Sequence, residues 1–492
     1  MSLILAIDQS TSATKAVLFD ARGKVLDRAS RSHRQIYPQP GWVEHNAEEI
    51  WQNVLSVIQE IVRRNPKKVS QLAGLSIANQ RETVVVFDRQ TGKPSHNAIV
   101  WQCRRGTTIC QKLQQRGHGP AIRRKTGLMV DTYFSASKLR WLVAQKPDLA
   151  KKLKTGAAVI GTIDTFLIHR LTDGKVFATD FTNASRTMLF DIGKLRWDEK
   201  LCRLFDVPMR ALPAVRESSA HFGETDANGI LPKVIPIVGV MGDSQAALFA
   251  QKCFSPGTAK ATFGTGTSVL LNIGEKFHPS QKGAVTALAW VLNGKPAYAF
   301  EGIINFSAAT IEWLKNQLGV IQDSGEVEKL ARSVPDNGGV YFVPAFAGLS
   351  APHWAPDARA AIVGMSAHTN KAHVVRAAQE AIAYQIRDVL DMMRGDAKIK
   401  LKVLHCDGGP TKNNFLMQFT ADVTQTELNV SEVAESSAWG AAMNGLLGLQ
   451  IYKSLDELVK LPRKQKNFRP QLKAAQVKPL HDGWMLAVKR VL

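Results

Sequence analysis

The chain has 492 residues, more than one hydrophobic core ordinarily serves, so two or more domains are expected. With 45% hydrophobic and 7% aromatic residues it reads as a soluble globular protein, and no apolar run approaches the roughly 20 residues that a membrane span requires. A formal charge of +21 raises nucleic acid as a partner, but the densest basic clusters (63–68, 123–125, 151–154) are short and accompany no nucleic-acid module. Neither a nucleic-acid nor a membrane partner is therefore expected. Residues 2–7 lack the basic lead and length of a secretory signal, which predicts a cytoplasmic protein. The five cysteines, odd in number and without a CxxC pair, predict neither a disulfide framework nor a zinc site.

Two short apolar runs, 3–8 and 15–20, flank a turn crowded with hydroxyls and predict a hairpin. Ser10, Thr11, Ser12 and Thr14 can donate to a phosphate, Asp8 can hold magnesium through water, and Lys15 adds positive charge. Asp, Ser and Thr are also ordinary turn residues, so this pattern alone is weakly specific. No Walker A loop occurs in the chain. Asn46, with Glu49 three residues on, predicts a cap for a helix carrying Ile50, Val54, Ile58 and Ile61 and ending near Asn65-Pro66. Strand-like runs at 72–77 and 83–88 enclose Arg81 and Glu82. These two either reach a cleft and grip vicinal hydroxyls, by guanidinium donors and a carboxylate acceptor, or form a surface ion pair beside a hairpin. Trp101, closing the run 98–101, reads as a pocket wall or as core. Tyr133 precedes a helix with Leu139 and Leu142 inward, and offers its hydroxyl to a ligand or simply packs.

The most informative stretch is 235–271. An apolar run, 235–240, leads through Gly242 and Asp243 into a small-residue helix, 245–250, which puts a carboxylate at the mouth of a sheet. Residues 263–268 then set Gly264 and Gly266 among three hydroxyls in a tight turn, where backbone N–H groups can converge on an anion. A helix cap and a hairpin turn explain either feature alone; together they predict a proton acceptor facing a phosphate cradle. The hairpin 261–271 echoes that at 3–19, which predicts an internal duplication with one phosphate-facing turn per half. Helices are expected from 308 and over 372–393, and a strand over 340–346. A further strand, 403–406, runs into Asp407-Gly408-Gly409-Pro410 and a helix containing Asn413, an arrangement that lets backbone approach a flat or anionic ligand. The small residues of 438–448 predict a tightly packed structural helix.

In this order, DQSTSATKA, YPQPGWVEH, NQRET, AIVWQCRR, YFSASKLRW, TNASRTMLF, GDSQAALF, FGTGT, VPAFAGLSAPHW and CDGG resemble the FGGY carbohydrate kinases over essentially the whole chain. NQRET, WQCRR and TNASRTMLF are similar to the branch of that family that acts on glycerol. The resemblance implies an α/β, two-domain, actin-like ATPase (ribonuclease H-like) fold with a duplicated core, domains 1–247 and 248–492, and an interdomain cleft where ATP and a polyol meet. It implies Asp243 as the general base and, with Asp8, as a neighbour of Mg2+. It implies Arg81, Glu82, Trp101, Tyr133, Asp243, Ser244 and Ser268 at the polyol, and Thr11, Ser12, Lys15, Gly264, Thr265 and Gly266 at the phosphates. Ala308 and Glu312 would lie near the nucleotide, with Gly408, Gly409 and Asn413 near its adenosine. The implied reaction is phosphorylation of a terminal hydroxyl of glycerol, with ADP as product, by a homodimer or homotetramer. Ser244 and Ser268 stand where the glycerol branch usually carries Gln and Phe, and the lost bulk points to erythritol, threitol, xylulose or ribulose as the alternative substrate. Lys15, Ala308 and Glu312 replace Arg, Gly and Gln, which bears on nucleotide affinity rather than reaction class. An actin-like ATPase without a small-molecule substrate would not need Arg81, Glu82 and Trp101.

Overall fold

The computed structural model describes residues 2–432 and 435–492. The first hairpin forms as the two apolar runs predict: Leu3–Gln9 and Ala13–Asp20 pair antiparallel, with Gln9 opposite Thr14 at the turn. Leu3–Gln9 is buried along its whole length because both faces of its sheet are covered. Leu5 and Ile7 pack with Ile50, Val54 and Ile58 of the helix Ala47–Arg64, while Ile4 and Ala6 pack with Ala442 and Leu446 of the helix Ser436–Gly448. Asn46 caps the first of these helices through bonds from the N–H groups of Glu48 and Glu49. The Glu49 carboxylate does not return to the cap, and accepts instead from the backbone N–H of Arg34 at 3.1 Å.

Two large sheets repeat one plan. The first runs in the order His221–Thr225, Ile235–Gly242, Leu72–Asn79, Leu3–Gln9, Ala13–Asp20, Val25–Ser32. The second runs Gln465–Phe468, Leu428–Ser431, Val403–Asp407, Thr258–Phe263, Thr267–Gly274, Lys295–Ile304, with Val285–Leu292 added at the far edge. In each, the hairpin lies antiparallel beside its outer neighbour and parallel to the next strand inward. The duplication suggested by the two hairpins is thus carried by the sheet order. The parallel strands of each sheet end at the turns that carry Asp8, Arg81, Asp243, Gly264 and Gly408, where open α/β sheets bind ligands.

Several expected elements differ. Residues 72–77 and 83–88 do not form a hairpin: Leu72–Asn79 lies in the first large sheet, and Val84–Asp88 in a separate sheet with Glu44–His45, Ala98–Ile99 and Ala158–Thr162. Gln80 to Thr83 therefore cross from one sheet to another, inside the protein. The strand expected over 340–346 is only Tyr341–Val343, since Pro344 has no N–H to continue the ladder. A 3₁₀ turn, Gly409–Lys412, separates Val403–Asp407 from the helix Asn414–Thr424.

Helix Ser436–Gly448, from the second half, lies against helix Asp243–Ala250, from the first, almost backbone to backbone. A Cβ at Gly440 would lie 1.8 Å from the carbonyl oxygen of Ala246, so no larger residue fits there. All five cysteines are buried and unpaired. Among the described residues, no helix is long and apolar enough to cross a membrane.

Candidate active site

Asp243 is the first residue of helix Asp243–Ala250, behind Gly242 at the cap position. Its side chain remains 34% exposed while its partner Arg81 is 5% exposed. The Arg81 Nε lies 3.2 Å from Asp243 Oδ1, and the backbone N–H of Ser244 donates to the same oxygen at 2.6 Å. Among the described residues Oδ2 accepts no hydrogen bond, which leaves its lone pairs for a substrate proton.

Asp8 is the penultimate residue of the first strand, Leu3–Gln9, and is 6% exposed. Burial pushes its carboxyl up to about 6; Lys15 opposes this, while the charges of Asp243 and Glu435 add to it. Two carboxylates that repel in this way fit a divalent cation. No set of three or more His, Cys, Asp or Glu side chains converges among the described residues, so magnesium would take its other ligands from water and phosphate, as that ion commonly does.

Arg81 and Glu82 are buried rather than paired at the surface. Glu82 adopts a left-handed φ of 60°, and its carbonyl accepts from Ser135 Oγ at 2.9 Å. The two side chains belong to an ionic chain that crosses between the halves of the protein. Glu82 Oε1 pairs with Arg186 Nε at 2.5 Å, Arg186 Nη1 with Glu301 Oε2 at 2.5 Å, and Glu301 Oε1 with Arg81 Nη2 at 2.8 Å. Burial pushes the Glu301 carboxyl up, but Arg186 and then Arg81 outweigh it and hold the group at about 2. Arg81 Nη1 also donates to Gln245 Oε1 at 3.2 Å. Arg186, Gln245, Lys260 and Glu301 were not foreseen as site residues. Glu301 and Lys260 carry a signal, a charge in an apolar strand, as in AYAFEGII and TAKATF, and the partners of Glu301, Arg81 and Arg186, lie more than 100 residues away; Arg186, outside any strand, and the uncharged Gln245, on a helix, carry none.

Trp101 and Tyr133 stack at a tilt with ring centroids 5.1 Å apart, and burial pushes the Tyr133 phenol up. Both line a cavity of about 660 Å³, together with Ile303, Asn305 and Trp354. Ser244 and Ser268 face each other with hydroxyls 3.5 Å apart, and Lys260 Nζ lies 3.4 Å from Ser268 Oγ. Burial lowers the Lys260 amine to about 8.

The second turn is braced by helix Ala308–Asn316. Gly264 N–H donates to the Gly266 carbonyl at 2.8 Å, Ala308 N–H to Gly264 at 3.0 Å, and Ser307 N–H to Thr265 at 2.9 Å. Thr265 itself is exposed. Gly408, with φ of 102°, packs so closely that a Cβ would lie 1.9 Å from the Phe263 carbonyl oxygen, whereas a Cβ at Gly409 would meet nothing within 4 Å. The space beside Gly409 is room that a flat ligand can fill. Asn413 spends its side-chain oxygen capping helix Asn414–Thr424. Glu312 lies exposed one turn beyond Ala308, and its Oε2 accepts from Asn316 at 3.4 Å.

In the first turn, Ser12 is exposed and Thr11 accepts a bond from the Trp101 indole at 3.0 Å. The Lys15 amine is held by Glu435 at 2.6 Å and lies 3.7 Å from Asp8. Burial pulls that amine down, but Asp8 and Glu435 outweigh it and leave it raised. It is a neutralising partner of buried carboxylates as much as a free donor for phosphate.

Two family models match the chain: the N-terminal domain of the FGGY family of carbohydrate kinases over residues 3–250, and its C-terminal domain over residues 259–449. A glycerol kinase of Desulfitobacterium hafniense is 44% identical over 489 residues, covering 99% of both chains. Glycerol kinase 1 of Thermotoga maritima is 46% identical over 490 residues, again 99% of each. Among solved structures, Plasmodium falciparum glycerol kinase with ADP matches with a TM-score of 0.95 at 39% identity, covering 100% of this chain and 98% of that one. A xylulose kinase from Lactobacillus acidophilus, at 20% identity and TM-score 0.91 over 100% of this chain and 98% of its own, has the same fold.

Proposed function

Since the chain belongs to the FGGY family of carbohydrate kinases, we propose that it transfers the γ-phosphoryl group of ATP to a terminal hydroxyl of glycerol, giving glycerol 3-phosphate and ADP. The observation that carries this reading is the Asp243 carboxylate. It is fixed on one oxygen by Arg81 and free on the other, in a cleft that also holds a glycine-lined turn.

In this reading Arg81 donates to, and Glu82 accepts from, neighbouring polyol hydroxyls, while Trp101 and Tyr133 wall the carbon chain. Asp243 Oδ2 takes the proton of the attacking hydroxyl, its oxygen bonds to the γ-phosphorus, and the bond to the β-phosphate oxygen breaks. A positioned base of this kind contributes roughly 10²–10⁴-fold. Thr11, Ser12 and the turn Gly264-Thr265-Gly266 hold the phosphates by N–H and O–H donors. Lys15 neutralises charge nearby, Ala308 and Glu312 flank the nucleotide, and Gly408, Gly409 and Asn413 border the adenosine. Asp8 and Asp243 would hold Mg2+, which supplies charge neutralisation on the phosphate oxygens. Lobes 1–247 and 248–492, closing on the substrates, would exclude water from the phosphoryl group. A cytoplasmic homodimer or homotetramer completes the proposal, and light scattering of the purified protein reads the oligomeric state.

Ser244 and Ser268 favour a second reading. Two small hydroxyl side chains side by side next to Asp243, with Lys260 behind them, leave room and donors for an additional hydroxymethyl group. ATP-dependent turnover on glycerol, erythritol, threitol, dihydroxyacetone, xylulose and ribulose decides between the two. A glycerol kcat/KM at least about tenfold above the others supports the first reading, since one hydroxymethyl group in a pocket is worth roughly that much. A longer substrate in the lead supports the second, and no turnover on any of them overturns both.

A further inference from the structure

A closed ring of hydrogen bonds joins the polyol wall to the first phosphate-facing turn. The indole Nε1–H of Trp101 donates to Thr11 Oγ1 at 3.0 Å. By a second route, the backbone N–H of Trp101 donates to Thr83 Oγ1 at 3.2 Å, and Thr83 donates to Gln80 Oε1 at 2.8 Å. Gln80 Nε2 donates to Gln9 Oε1 at 3.0 Å and to the Ser10 carbonyl at 3.2 Å, beside Thr11, and shares its protons with His45 Nδ1 at 3.4 Å; His45 Nε2 then donates to Gln35 Oε1 at 2.8 Å, and Gln35 Nε2 to the Thr11 carbonyl at 2.9 Å. Every donor on both routes points from Trp101 toward Thr11. This order requires His45 to carry one proton, on Nε2. Burial agrees, since it pulls His45 down to about 3, with His33 adding to the effect.

His45, Gln80 and Thr83 are 0%, 1% and 0% exposed. A buried polar network is costly unless each member is satisfied, and a fully satisfied one rigidifies what it joins. An indole N–H donates and never accepts, so Thr11 Oγ1 receives that bond and its own proton must point elsewhere. Among the described residues the Thr11 O–H donates to no acceptor, and it is left for an anion in the cleft. None of Gln35, His45, Gln80 and Thr83 is among the residues assigned above to polyol or nucleotide.

We propose that Trp101 aims the Thr11 hydroxyl at the transferring phosphate, and that Gln35, His45, Gln80 and Thr83 are positioning residues that keep this pair in register. A polyol seated on Trp101 and a nucleotide seated on Thr11 are then coupled through one rigid unit. The inference rests on the placement of Trp101 at the polyol and Thr11 at the phosphates given above.

The test compares Trp101→Phe, Thr11→Val, the double variant, Thr11→Ser and Gln35→Leu for kcat, KM of glycerol and KM of ATP, with ADP affinity by calorimetry. Gln35→Leu is expected to lower kcat about threefold to tenfold, the range of one lost hydrogen bond, and to raise KM for ATP while KM for glycerol stays within about twofold. The double variant is expected to lose no more kcat than Thr11→Val alone, and Thr11→Ser to keep most of the activity. Additive losses in the double variant, or a Trp101→Phe effect confined to the KM of glycerol, would overturn the proposal. A wild-type protein that phosphorylates no polyol would sink the functional reading instead. The ring then stands or falls on whether Trp101→Phe and Thr11→Val weaken ADP binding non-additively.

Discussion

At the scale of single residues, the site is a chain of buried charges in which each member depends on the next. Removing Arg186 leaves Glu82 and Glu301 without their shared partner at 1% and 0% side-chain exposure. Breaking a buried pair in this way costs about 3–5 kcal/mol, so Arg186→Met is expected to lower the urea midpoint markedly and to abolish turnover. An unchanged midpoint would show that the chain contributes nothing to folding. A second buried charge gives a pH signature remote from the chemistry. Asp164 accepts from Thr162 at 2.5 Å and Thr179 at 2.6 Å, yet burial, with Asp180 adding, pushes its carboxyl up to about 7. A carboxyl raised in the folded state binds more protons folded than unfolded, so its contribution to stability is lost as pH rises from about 4 through 7. Integrated over that window the loss is about 4 kcal/mol. Asp164→Asn should flatten this part of the stability profile in urea titrations; an unaltered slope would place the effect elsewhere. The turn residues Asp243, Arg81, Glu82 and Thr11 were legible in the sequence because each sits at a strand end among Gly, Ser or Asn. Glu301 and Arg186 were not, since each acquires meaning only from a partner far along the chain, and Lys260 was not, since its strand gives no sign that its amine turns toward Ser268.

At the scale of elements, apolar runs around hydroxyl- and glycine-rich turns predict both hairpins, and the Asn46 cap with apolar residues at helical spacing predicts the helix Ala47–Arg64, as found. The crossing at Gln80 to Thr83 escaped, because two neighbouring strand-like runs look the same whether they pair with each other or join different sheets. The tight packing expected of 438–448 is realised between helix Ser436–Gly448 and helix Asp243–Ala250. Because the atom that a side chain at Gly440 would strike is backbone, Gly440→Val must separate the helices and displace Asp243 with them. A stability loss of about 1–3 kcal/mol, as for other overpacked sites, is expected together with a kcat loss larger than the change in either KM. Gly409→Ala provides the contrast. Its Cβ meets only open space, so the melting temperature should hold while the Kd for ATP rises; weakened folding with unchanged nucleotide affinity would remove Gly409 from the nucleotide site.

At the scale of the whole molecule, the chain builds two copies of one sheet plan, and the ionic chain runs from Arg81 and Arg186 of the first half to Glu301 of the second. In the proposed function, charge neutralisation, a base and a phosphate cradle would be assembled from both halves, with Arg81, Asp243 and Asp8 from one and Glu301, Lys260 and the turn Gly264-Thr265-Gly266 from the other. The duplication was legible because its two hairpins share a hydroxyl-rich turn, whereas pattern is blind to the small volume beside Ser244 and Ser268 on which the two proposed substrate readings divide.

The measurement that bears most directly on this account is the rate of glycerol 3-phosphate formation by Asp243→Asn against the unaltered protein, with ATP affinity measured in parallel. Loss of the base should lower kcat at least about 10²-fold while the Kd for ATP stays within about threefold. Turnover within tenfold of the unaltered protein would contradict the assignment of Asp243 as the group that takes the substrate proton.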